Sequence, residues 1–251
     1  MTETMSLRAP DGSAFDVYVA RPEGVPRAGI VLIHEIWGLV PHIMDIADRF
    51  ASQGYLVAAP DVLSHGGIEP ALGADLFGRL NDPDEEVRVA AQPDMRDAIT
   101  GTRAPDYAAW AVQALRAVVD WLDAQEGATG RIGVVGFCFG GTFAYLLAAS
   151  DRRIRAAVPF YGAAPSADRI PDIEGAVLAV YGQHDPSLID ALPDVRERMT
   201  AAGVDFETVV YPEAEHAFFN DGGRRYRAGE AADAWQRTLV FFEEQLEPEE
   251  V

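Results

Sequence analysis

The sequence predicts an α/β domain: a mostly parallel central sheet with helices on its flanks. Three observations carry this. Strand-like and helix-like segments alternate along most of the chain. Several of the strand-like segments are continuous apolar runs, as strands covered on both faces are. A content of 49% hydrophobic against 24% charged residues is that of a chain able to fold around a core rather than stay disordered. The 251 residues suit one domain.

Taken in order, residues 14–20 alternate apolar and polar side chains and read as an edge strand. Residues 29–33 (GIVLI) are a strand buried on both faces. A helix follows over 41–52, with Ile43, Ile46, Ala47 and Phe50 on one stripe, and Gly54 ends it. Residues 55–59 form the next strand, closed by Pro60. Residues 61–105 are rich in Gly, Pro, Asp and Arg, with weak helical periodicity over 72–80 and 85–91. They read as an excursion with short helices, expected to cap a pocket; a separate small domain is the other reading. A strong helix spans 106–125, its stripe made by Trp110, Ala114, Ala117, Val118 and Trp121. Then come a strand at 132–135, a helix at 138–149 and strands at 154–160 and 176–181. A helix at 188–202, a strand at 206–211 and a helix at 227–245 complete the pattern. The acidic stretch 247–251 is expected to be frayed and solvated.

Forty acidic residues against 20 basic ones give a net charge of −20. That surface repels phosphate backbones and anionic lipid heads, which argues against nucleic-acid and membrane partners. Every basic residue is Arg. Without Lys there is no Walker-type phosphate loop and no Schiff base. The single cysteine, Cys138, forbids an internal disulfide and any multi-cysteine metal site. The first twelve residues hold Glu3, Arg8 and Asp11 and no apolar signal-peptide core, and no run is long enough to span a membrane. A cytoplasmic protein, monomeric or a small homo-oligomer, is expected.

The most informative segment is Gly136-Phe137-Cys138-Phe139-Gly140-Gly141, between a buried strand and an apolar helix. This is the context of the nucleophile elbow G-x-S-x-G, with Cys in place of Ser. Glycines on either side remove the Cβ atoms that so sharp a turn would crowd. The helix start then aims free N–H groups at the thiol. The competing readings are a buried structural cysteine and a dinucleotide fingerprint; the spacing does not fit the latter.

In such a turn the partners follow in the order acid, then His. Asp185 lies just past the strand at 176–181 and His216 in the loop past the strand at 206–211, where sites form in open α/β sheets. Imidazole can take and return the thiol proton while the carboxylate fixes its tautomer. Asp190 is the fallback acid. His184 reads as a turn residue, and His42 and His65 as structural or loop residues. Residues 34–38, His-Glu-Ile-Trp-Gly, lack the second His of a metalloprotease helix. This loop is placed to supply a backbone N–H to an oxyanion, so Ile36 and Phe139 are the expected oxyanion donors. Glu35 is odd on so apolar a loop, because burying its carboxylate is costly unless it has a role. The other reading is a solvated loop residue.

Cys138 in its glycine turn, Glu35 after His34, Asp185 and His216 together resemble the dienelactone hydrolase (carboxymethylenebutenolidase) family. The resemblance covers nearly the whole chain, including the closing stretch 226–242 with Trp235 and Arg237. It implies an α/β-hydrolase fold and hydrolysis of a lactone or carboxylic ester of small-molecule size. It implies that Cys138 attacks the carbonyl and forms an acyl-enzyme that water releases with help from His216. It further implies a resting thiol that stays protonated until substrate displaces Glu35, which takes its proton. No metal or organic cofactor is needed for such chemistry. The family's prototypes bind a substrate carboxylate with arginines, one of them four positions past the catalytic His; here that position is Asn220. Trp37, Arg96, Asn220, Arg224 and Arg225 are the candidate substrate contacts, with Arg79, Arg88, Arg103 and Arg227 as further arginines able to compensate. The alternatives are a general esterase for short neutral esters and a non-catalytic binding protein on the same scaffold.

Overall fold

The structure is a computed structural model that describes residues 1–246; the acidic tail falls outside the described residues. Eight strands form one sheet: β1 (Thr2–Arg8), β2 (Ala14–Ala20), β3 (Gly29–Ile33), β4 (Leu56–Pro60), β5 (Ile132–Phe137), β6 (Ile154–Phe160), β7 (Ala176–Gly182) and β8 (Phe206–Tyr211). Their order is β1-β2-β4-β3-β5-β6-β7-β8. Only the β1–β2 and β2–β4 pairs are antiparallel. The remaining pairs are parallel, so β3 and β5 to β8 end on the same edge. The α/β class expected from the alternating pattern is therefore the one observed.

Among the described residues seven α-helices accompany the sheet: α1 (Pro41–Ser52), α2 (Pro70–Leu80), α3 (Glu85–Ala98), α4 (Tyr107–Asp123), α5 (Phe139–Ala148), α6 (Pro186–Ala202) and α7 (Ala228–Leu246). Successive side chains of a strand face opposite ways, so each buried strand feeds two cores. Val31 and Ile33 of β3 join a cluster with residues of α4, α5 and α6. Ile30 and Leu32 join another with residues of α1 and α7. This is why the central strands read as unbroken apolar runs.

One expectation is corrected. Residues 14–20 are not an edge strand: β1 pairs along their whole length and takes the edge. No residue of β1 is fully buried, so it carries no apolar signal, whereas Val17 and Val19 of β2 are wholly covered. The excursion at 61–105 contains two helices longer than their periodicity suggests. Among their residues only Gly73, Leu76 and Ala91 are buried, and α3 carries Pro93 within it. So little burial leaves hardly any stripe to read.

Candidate active site

Cys138 stands at the turn from β5 into α5 with φ 56° and ψ −112°. Left-handed backbone of this kind costs a non-glycine residue energy and is found where a side chain must be presented. The neighbouring glycines permit it. A Cβ on Gly136 would lie 2.0 Å from the Gly140 carbonyl oxygen, and one on Gly140 would lie 2.2 Å from that of Ile33. The Cys138 N–H donates to the Phe160 carbonyl at 3.0 Å, fixing the elbow to the end of β6. As a residue Cys138 is intermediate between buried and exposed.

Two more strand ends bring in the partners. His216 Nε2 is 3.0 Å from Cys138 Sγ, and His216 Nδ1 is 2.5 Å from Asp185 Oδ2. The acid turn is stitched to the histidine loop by main chain: the Gln183 N–H donates to Tyr211 O and the His184 N–H to Ala214 O, both at 2.9 Å. Asp185 is buried and is the acid in contact with His216, while Asp190 is exposed on α6. His184 is exposed in its turn, His42 pairs with Asp221, and His65 stacks on Trp110.

Glu35 is only 2% exposed. Asn220 donates its amide N–H to Oε2, and the Tyr161 hydroxyl contacts Oε1 at 3.4 Å. Burial lifts its carboxyl from an ordinary 4.5 to about 7, against the pull of those two donors. The thiol is pushed up to about 12, by burial first and by the Glu35 charge second. His34, fully buried, donates Nδ1–H to the Glu35 carbonyl at 2.7 Å and accepts the Val62 N–H at Nε2. Burial holds it neutral, and it braces the loop. The Phe139 backbone N–H works against the rise of the Cys138 thiol. The Ile36 N–H makes no hydrogen bond among the described residues.

A cleft of about 590 Å³ is lined among others by Trp37, Phe77, Arg88, Asn220, Arg224 and Arg225; Glu215 and Ala217, on either side of His216, line it, while His216, Cys138 and Glu35 do not. Arg225 is paired with Glu215 at 2.8 Å. Arg88 and Arg224 both donate to the Asp82 carbonyl, at 2.7 and 3.0 Å. Arg96 does not line the cleft. It lies one turn beyond Gln92 on α3, exposed and past the cleft's end, and Arg88 occupies the rim instead. Asn220, expected as a substrate contact, also grips Glu35. Tyr161 was not anticipated, since nothing in a Phe-Tyr-Gly strand end marks a buried phenol aimed at a carboxylate. Among the described residues no three His, Cys, Asp or Glu side chains are grouped as metal ligands.

The sequence profile of the dienelactone hydrolase family matches residues 15–246. The chain belongs to the dienelactone hydrolase family. It is 32% identical over 248 residues to a protein of Saccharolobus solfataricus named "Putative carboxymethylenebutenolidase", covering 92% of this chain and 94% of that one. A protein of Escherichia coli K12 with the same name is 30% identical over 246 residues, covering 93% and 83%. A crystal structure titled "Putative Dienelactone Hydrolase", from Klebsiella pneumoniae, superposes with a TM-score of 0.79 at 30% identity, covering 97% of this chain and 99% of that one. As a dienelactone hydrolase family member with the α/β-hydrolase fold, the chain is a hydrolase. No helix among its described residues is long and apolar enough to cross a membrane.

Proposed function

We propose that the protein cleaves an activated lactone or carboxylic ester through Cys138, His216 and Asp185, by way of an acyl-enzyme. The observation that carries this is the unbroken line Asp185–His216–Cys138, at 2.5 and 3.0 Å, on a strained elbow. A thiol pushed up to about 12 is inert at rest. Substrate entering the cleft displaces Glu35, which takes the thiol proton. The thiolate adds to the carbonyl carbon, and the N–H groups of Ile36 and Phe139 receive the oxyanion. The C–O bond then breaks and the leaving oxygen takes up the proton that Glu35 holds. His216 takes a proton from water, the hydroxide adds to the thioester carbonyl, the C–S bond breaks, and His216 returns its proton to the departing Cys138 thiolate.

A thiolate leaves more readily than an alkoxide, so the site suits leaving groups that are already stabilised. An enol lactone, whose leaving group is an enolate, fits; an amide does not. The α2–α3 hairpin serves as the cap, with Arg88 and Arg224 at its rim to meet a substrate carboxylate. A second reading, a general esterase for short neutral esters, is favoured by one observation. Asn220 brings no positive charge to the inner pocket and is occupied with Glu35.

The deciding experiment compares hydrolysis of a dienelactone and p-nitrophenyl acetate by the wild type and by Cys138→Ala. Loss of both activities in the variant, with the lactone preferred by the wild type, is the expected result. Preference for the neutral ester selects the second reading. Full activity of Cys138→Ala overturns both.

A further inference from the structure

Three non-glycine residues among those described have positive φ: Cys138, Ala217 beside His216, and Tyr161 at φ 39°. Backbone strain concentrates where a fold holds a group for use. Cys138 is the proposed nucleophile and Ala217 adjoins the proposed base, His216. Tyr161 has no role in the proposed triad.

Tyr161 follows β6 directly, its N–H donating to the Val180 carbonyl at 2.7 Å. Its ring is 1% exposed and lies 5.0 Å from the His216 ring and 5.8 Å from Phe218. Its hydroxyl reaches Glu35 Oε1 at 3.4 Å, while Asn220 holds Oε2. The two donors differ in kind. The Asn220 amide oxygen accepts the Gly222 N–H at 3.1 Å, so its NH2 must face Glu35, and an NH2 can only donate. A hydroxyl can donate or accept.

Resting on the reading of Cys138 and Glu35 given above, we propose that Tyr161 is a positioning residue that lets the buried Glu35 exist in two protonation states. With Glu35 ionised, the Tyr161 O–H donates to Oε1. When Glu35 takes the thiol proton, that proton resides on Oε1 and the hydroxyl turns to accept it. Oε2 cannot carry the proton without facing the Asn220 N–H. The contact is long for an O–H···O bond, so its reversal costs little. The phenol stays protonated throughout, because burial and the charges of Glu35 and Cys138 hold its pKa well above the ordinary value. The groups around Glu35 are thus Cys138 from the elbow, Tyr161 from the end of β6, and Asn220 from the histidine loop. His34 lies on its own loop, and His216 and Asp185 stand beyond Cys138.

The test is Tyr161→Phe, which keeps the ring and its packing. Losing a donor to the carboxylate raises the pKa of Glu35 further, so the acid limb of the kcat profile should move up by about one pH unit. The same substitution in a Glu35→Gln background should leave the profile where Glu35→Gln alone puts it, since Gln does not titrate. That background also removes confusion with His216, which both proteins retain. A uniform drop in kcat with no movement of the limb, or an equal shift in both backgrounds, overturns the role of Tyr161. Cys138→Ala assayed alongside separates the two claims. If it is inactive while the Tyr161→Phe profile is unmoved, the proposed triad stands and only the hydroxyl's role fails. If Tyr161→Phe melts well below the wild type, Tyr161→His (a ring donor and acceptor) must restore the limb, and failure to restore it overturns the proposal.

Discussion

Removing the charge of Glu35 should wake the resting thiol, and only over the pH range in which that charge exists. The Cys138 thiol moves from an ordinary 9.0 to about 12, with burial the larger cause and Glu35 the next. If the like charge carries up to about one pH unit of this, its loss multiplies the thiolate fraction by about ten. Glu35 itself titrates at about 7. Near pH 5.5 the wild-type carboxyl is already mostly neutral, so Glu35→Gln and wild type should react alike, at a rate ratio of about 1. By about pH 8.5 the ratio should approach 10, with its midpoint near the Glu35 pKa. Alkylation by iodoacetamide, followed by intact mass, reports this thiol cleanly because the chain has one cysteine. His216 is present in both proteins and cancels in the ratio. A ratio of 1 at every pH, or a constant ratio across the range, would refute electrostatic restraint by Glu35.

The same burial makes a stability prediction. The folded state raises the Glu35 carboxyl from 4.5 to about 7, so the fold favours the neutral form, and stability present below 4.5 is lost as pH rises through 7. The loss is at most about 3 kcal/mol, so Glu35→Gln should melt several degrees above wild type at about pH 8 and level with it at about pH 4. A melting difference independent of pH contradicts this. A Cβ on Gly73 would lie 1.9 Å from the Trp37 carbonyl oxygen, so Gly73→Ala must push the loop proposed to supply the Ile36 oxyanion donor. The expected effect is a kcat lower by about 10²-fold with KM little changed, and unaltered steady-state kinetics would mean that α2 does not set that loop. For Gly140→Ala the new Cβ would meet the Ile33 and His34 carbonyl oxygens at 2.2 and 2.5 Å, all rigid backbone. A loss of about 3 kcal/mol or more is expected, and a urea midpoint like that of the wild type would show that the elbow tolerates it.

What could be read from the sequence followed burial. The strands β3 to β7 and the helices α1, α4 and α7 were legible because each buries a face or a stripe. β1 was not, since its alternation leaves both faces largely uncovered at the sheet edge. The cap helices were half legible for the same reason: three buried residues make a poor stripe. At the site, Cys138, Asp185 and His216 announced themselves because strand ends and glycines frame them. Glu35 stood out as a carboxylate in apolar company. The pairing of Asn220 with Glu35 joins residues 185 positions apart and leaves no local trace. Tyr161 in left-handed backbone is equally silent, because no pattern predicts a tyrosine at φ 39°. Nothing in the sequence separates Arg96 from Arg88; the cleft lining, which includes Arg88 and not Arg96, does.

The central claim, that the sulfur of Cys138 attacks the carbonyl, is tested most directly by catching the acylated protein. Mixing the enzyme with a p-nitrophenyl ester and quenching within the first turnover should give one protein molecule carrying one acyl group, located by fragmentation on the peptide that holds Cys138. Full turnover with no such adduct, or an adduct on any other residue, would contradict it.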